Sequence, residues 1–167
     1  MRYRSDVSAG VIVFHRDEEG CRFLLLRSRL TRRPLWEFPK GGVNEGETLV
    51  QAALRELGEE TGIIAPNVRL LDGFERREDY RFVMREAGES TTVRKRVTYF
   101  LGEARQTGVT IAPGEATHHA WFLVDEAKRK VRYAARREML DAAATHADCA
   151  SAGNEFTKSR GEQAGRD

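Results

Sequence analysis

The stretch Gly41-Gly42-Val43-Asn44-Glu45-Gly46-Glu47-Thr48, then Leu49 to Leu54, then Arg55-Glu56-Leu57-Gly58-Glu59-Glu60-Thr61-Gly62-Ile63, decides how the rest of the chain is read. Gly46-Glu47-Thr48 predicts a helix start, with Thr48 as N-cap and Gln51, three residues on, completing a capping box. Leu49, Ala52, Ala53 and Leu57 recur at helical spacing, and Gly62 stands where the helix stops. Glu56, Glu59 and Glu60 lie at i, i+3 and i+4, so they project from one face. Three like charges there destabilise a helix unless a cation is shared among them. Carboxylate oxygens suit hard divalent ions, Mg²⁺ above all. Gly41 and Gly42 let the backbone come close to a ligand on that face.

The order Gly, five residues, Glu, seven residues, Arg-Glu-hydrophobic-any-Glu-Glu-any-Gly-hydrophobic resembles the Nudix box. It is matched by Gly41, Glu47, Arg55, Glu56, Leu57, Glu59, Glu60, Gly62 and Ile63. The plainer reading of a glutamate cluster, a solvated acidic helix face, requires neither the flanking glycines nor the Arg. The resemblance covers the chain to about residue 140. It implies a mixed sheet between helices and hydrolysis of a nucleoside diphosphate linked to another moiety.

A length of 167 residues makes one ordinary domain with a real core; the expected boundaries are a catalytic domain over 1–147 and a polar tail over 148–167. Charged residues make up 32% of the chain, but the formal net charge is only +2, so global charge selects no partner. Cys21 and Cys149 are far apart and predict neither a disulfide framework nor a metal pair, so a reduced, cytoplasmic setting is expected. The apolar run Val11-Ile12-Val13-Phe14 is too short for a signal core or a membrane span.

Val7 to Phe14 and Phe23 to Arg27 read as two strands covered on both faces. Trp36 to Pro39 is a short strand, and Val68 to Phe74 another. Tyr80 to Met84 and Arg96 to Leu101 form a hairpin across Gly88 to Thr92, and Ala120 to Leu123 is a further strand. Asp125 to about Ala144 is helical. The fold class is α/β, a mixed sheet sandwiched between helices.

Lys40, beside the box, is a candidate phosphate contact, against the reading of an exposed loop lysine. Glu115 follows Pro113-Gly114; in many enzymes of the resembled family a loop Glu there is a metal ligand or general base, and otherwise it is a solvated turn residue. The strand from Lys95 to Glu103 is similar to one in the asymmetric diadenosine tetraphosphate hydrolases, a subgroup of that family. Where that subgroup commonly has Glu-His, this chain has Glu115-Ala116, with His118 and His119 later. Tyr99 either stacks on a base or belongs to the sheet core. Basic residues Arg29, Arg32, Arg33, Arg76, Arg77, Arg94, Lys95 and Arg96 crowd the candidate mouth. A second run from Lys128 to Arg137 reads as a solvated helix face.

The resemblance therefore implies a Mg²⁺-dependent pyrophosphohydrolase, with Mn²⁺ as a substitute. Glu56, Glu59, Glu60, Glu115 and the Lys40 carbonyl hold metal, and Glu59, Glu60 and Glu115 supply catalysis. Arg55 and Glu47 orient the ligands, while Lys40, Gly41, Gly42, Lys95 and Tyr99 meet the substrate. A dinucleoside polyphosphate is the first substrate, ahead of a MutT-like role on oxidised nucleoside triphosphates or on the 5′ end of RNA. A nucleotide-sensing module without catalysis is the distant alternative. The expected partner is a small nucleotide, with no membrane and no stable nucleic-acid complex.

Overall fold

The computed structural model describes residues 2–29 and 34–149. Strand β1 (Arg2–Asp17) carries the alternation on which both layers are built. Val11 and Val13 turn to one face, Ile12 and Phe14 to the other, and all four are fully buried. Strand β2 (Gly20–Ser28) repeats the division, with Leu24 and Leu26 joining the first set and Phe23 and Leu25 the second. A strand covered on both sides has no place for polar alternation, which is why both runs are continuously apolar.

Helix α1 (Leu49–Thr61) closes the first face with Ala52, Ala53 and Leu57. Its Thr48 capping box with Gln51 is formed in both directions, and Gly62 ends it at φ 75°. Helices α2 (Val124–Lys130) and α3 (Ala134–His146) close the second face with Ala127, Met139, Leu140 and Ala143. The expected sandwich is formed, around an eight-stranded mixed sheet. Its main path runs β3 (Trp36–Glu37), β2, β1, β7 (Glu89–Ala104), β5 (Val68–Leu70). Off this path β4 (Lys40–Gly42) pairs with β1, β6 (Arg76–Glu86) with β7, and β8 (Ala116–Leu123) with β2. β1 runs parallel to β7 and antiparallel to β2.

One departure from regular pairing positions the site. β1 pairs with β2 only from Phe14 to Asp17, and over Ser8–Gly10 its partner is β4 instead. The close approach is possible because Gly10 has no Cβ, which would strike the Pro39 carbonyl and Lys40. A cleft lies where the partner changes.

Several expected boundaries shift. The hairpin turns at Ala87-Gly88, both with positive φ and with Glu86 paired to Glu89; this two-residue turn matches the strand twist. The strand expected over Val68 to Phe74 ends at Leu70, and Gly73 turns the chain at φ 79°. The late helix is two helices, because Val131 leaves helical geometry with ψ 139° and inserts into the core.

The reading of the cysteines is corrected. Cys21 and Cys149 are joined by a disulfide across a sequence separation of 128, because the segment after α3 returns to lie beside β2. Distance along the chain carried no information about distance in space. Of the tail expected from 148, Cys149 is thus tied to the sheet, and residues 150–167 lie outside the described residues, as do Arg32 and Arg33.

Candidate active site

The cleft at the β1 partner change has a volume of about 280 Å³. Glu56 and Glu60 of α1 form one wall, Lys40, Gly41 and Gly42 of β4 another, and Lys95 and Glu115 stand at its margins. Gly41 is required by space: a Cβ there falls inside the Glu56 carboxylate. The backbone N–H of Lys40 donates to Glu60 Oε2 at 3.1 Å. Burial lifts the Glu60 carboxyl to about 8; the Lys40 amide and ammonium pull against that rise, and the charges of Glu115 and Glu56 add to it. Lys95 is half-buried, and its pKa is lowered by desolvation and by the neighbouring Lys40 charge.

Arg55 ties the loop to the helix. Its Nε and Nη2 meet Glu47 at 2.8 and 2.9 Å, Nη2 also donates to the Gly42 carbonyl at 2.7 Å, and Nη1 reaches Glu56 at 2.8 Å. The Glu47 carboxyl is held below its usual range first by the Arg55 hydrogen bond and then by the Asn44 amide. The three helix carboxylates are not equivalent. Glu56 and Glu60 line the cleft, whereas Glu59 does not; it is 58% exposed and turned to Arg55 at 3.2 Å.

Among the described residues no three His, Cys, Asp or Glu side chains are already gathered as a metal site. Arg55 is the reason on one side, because it occupies Glu56 and Glu59. The donor chemistry nonetheless fits a hard divalent cation: two carboxylates side by side on the helix wall, one of them desolvated, with Glu115 near enough to add its charge. A cation there stabilises the ionised form that burial of Glu60 opposes.

Tyr99 requires correction. Alternation puts it on the same strand face as Lys95, but it is fully buried, packed edge-on to Phe38 at 5.4 Å within the α3-side core. It offers no surface to a base. Arg94 and Arg96 alternate to the opposite face from Lys95, and Arg77 pairs with Thr98 on that opposite face, so all three leave the mouth. Two residues not expected at the site from sequence, Glu37 and Arg136, join it. Glu37 lines the cleft, with Oε2 at 3.9 Å from Lys40 Nζ. Arg136 of α3 is 3% exposed and reaches Glu37 at 3.3 Å and Glu78 at 3.4 Å, overturning its reading as part of a solvated face. The signal was present: Arg136, Met139, Leu140 and Ala143 follow the i, i+3, i+4, i+7 spacing of a buried stripe.

A family model described as the NUDIX domain matches residues 4–143. The asymmetrical bis(5′-nucleosyl)-tetraphosphatase of Rattus norvegicus is 35% identical over 127 residues, 72% of this chain and 80% of that protein. An RNA pyrophosphohydrolase of Caulobacter vibrioides is 50% identical over 56 residues, 34% of this chain and 31% of its own length. A solved C. elegans Ap4A hydrolase binary complex has the same fold, with a TM-score of 0.73 at 24% identity, covering 86% of this chain and 98% of that one. The box on α1, the sandwich around it and the extent of the family match together establish that the chain belongs to the Nudix hydrolase family.

Proposed function

We propose that this pyrophosphohydrolase cleaves a phosphoanhydride of dinucleoside polyphosphates, splitting a tetraphosphate asymmetrically into a nucleoside monophosphate and a nucleoside triphosphate. The observation that carries the reading is the pairing, in one cleft, of a carboxylate wall with two lysines. Glu56, Glu60, Lys40 and Lys95 line the same cleft, the space that a polyphosphate would fill. The similarity to the asymmetrical tetraphosphatases supports the substrate class.

Lys40 and Lys95 meet phosphate charge, and Lys95, partly desolvated, gains most from an anion. Gly41 and Gly42 give the phosphates access to backbone. Glu56 and Glu60, with Glu59, Glu115 and the Lys40 carbonyl, would hold Mg²⁺, or Mn²⁺ in its place. When bound, such ions supply an acidified water and neutralise charge on the phosphorus under attack. Water attacks in line, the P–O bond to the leaving phosphate breaks, and the proton passes to Glu60 or Glu115, the carboxylates that line the cleft, or to Glu59 once it turns away from Arg55. Arg55 and Glu47 keep the loop registered on the helix so that these oxygens stay aimed. The Cys21–Cys149 disulfide removes the cysteine argument for a reduced setting, so a cytoplasmic location is supported here by the nucleotide substrate alone.

The test is kcat/KM for diadenosine tetraphosphate, an oxidised deoxyguanosine triphosphate and a triphosphate-ended RNA, with products separated by anion exchange. Diadenosine tetraphosphate is expected to lead. A tenfold lead by either rival overturns the substrate assignment and leaves the metal chemistry standing.

A further inference from the structure

Register sorts the charges of the β6–β7 hairpin by face. Arg77 lies opposite Thr98, Asp79 opposite Arg96, Arg81 opposite Arg94 and Arg85 opposite Ser90. One face therefore carries five arginines, 77, 81, 85, 94 and 96, against the single acid Asp79. The acids Glu78, Glu86 and Glu89 fall on the other face. Asp79 is shared by Arg96 at 3.0 Å and Arg77 at 3.3 Å. Arg81, Arg85 and Arg94 are exposed, and among the described residues none of them has an acidic side chain within ion-pair distance.

A face that only meets water gains from mixed signs, and like charges directly opposite each other destabilise a sheet. The Arg81–Arg94 pair is such a cost, and an anion lying across it removes the cost. Arginine forks match phosphate oxygens in particular. Ser5, Ser90 and Thr92 fall on the same face among these arginines, and their hydroxyls can pair with a 2′-hydroxyl. Val83, 58% exposed, offers apolar surface to bases there. At the inner end Arg77 and Arg96 join Val7, Thr98, Leu49, the first residue of α1, and the acid Glu75 around a groove of about 510 Å³, so the uncompensated charge lies further out, at Arg81, Arg85 and Arg94. The face thus runs from the box helix out along the hairpin.

We propose that this face is a docking site for single-stranded RNA, separate from the cleft and independent of cleavage. A net charge of +2 hides it, because the sorting exists only once the register is known.

The test uses a 5′-hydroxyl oligoribonucleotide, which has no phosphoanhydride to cleave, and fluorescence anisotropy on the full chain. Changing Arg81, Arg85 and Arg94 together to Gln is expected to weaken Kd by at least about tenfold. It should also reduce the slope of log Kd against log salt by about 2, since single-strand phosphate contacts contribute roughly 0.7 each. The melting temperature should be unchanged or higher, because the opposed like charges are gone, and kcat/KM on diadenosine tetraphosphate should not change. Arg94→Gln alone, with a smaller loss in the same direction, serves if the triple variant fails to fold. No RNA binding by wild type, or equal binding by the triple variant, overturns the site. Equal affinity for DNA of the same sequence overturns the RNA assignment. Loss of phosphatidylserine-vesicle binding in the variant, with RNA binding intact, assigns the face to membranes and overturns the proposal.

Discussion

At the scale of single residues, Glu60 and Tyr99 show opposite relations between burial and role. Glu60 is a cleft carboxyl lifted from 4.5 to about 8 by burial. The metal-free folded state therefore holds a proton that the unfolded state has released between those two values. Its stability should fall as pH rises from about 4.5 to about 8, then level off. A divalent ion displaces that proton, so the rise in melting temperature on adding Mg²⁺ should grow across the same window. Melts at pH 5, 7 and 9 with and without Mg²⁺ check this, and a Mg²⁺ increment independent of pH refutes it. Tyr99 is fully buried, and among the described residues its hydroxyl has no hydrogen-bond partner. Tyr99→Phe should leave stability equal or higher, since an unpaired buried polar group is a penalty. Tyr99→Ala should cost about 3–5 kcal/mol, as truncation of a large core ring does. Denaturant unfolding measures both. A base-stacking role predicts instead that Tyr99→Ala spares stability and raises KM. Alternation made it legible that Lys95 and Tyr99 share a face. It could not say how far along that face the cleft gives way to core. The Arg55–Glu47 pair was legible because a cap loop and a helix of fixed pitch leave few places for either side chain.

Among the elements, α1 was read almost to the residue, since Thr48, Gln51 and Gly62 state its ends in local chemistry. The late helix was not. Its basic run drew attention to charge, whereas what matters is the stripe that places Arg136 inside with two acids, Glu37 from the cleft and Glu78 from β6. Removing the cation leaves the part-buried Glu78 without its ion-pair partner and Glu37 with only Lys40, at 3.9 Å. Arg136→Met should cost about 3–5 kcal/mol of stability, the range for breaking a buried pair by deleting one member. Adding Glu78→Gln to Arg136→Met should recover part of that loss. Thermal and urea unfolding of the single and double variants decide it, and additive losses would show that the two side chains are not coupled.

For the molecule as a whole, the two apolar strands announced a sheet covered on both faces, and that much of the architecture followed from composition. The exchange of β2 for β4 along β1 did not, because strand partners are chosen by register and no local pattern states them. The disulfide was illegible for the same reason. Its consequence is one of connectivity. Residues 21 to 149 form a closed covalent ring, so a single peptide cut anywhere inside it opens the ring without producing two molecules. The exposed tip at Ala87-Gly88, flanked by Arg85, is a natural place for trypsin to cut. The nicked protein should migrate as one band on a denaturing gel without reductant and as two bands with it. Two bands under both conditions would mean that the ring is open in the protein as isolated.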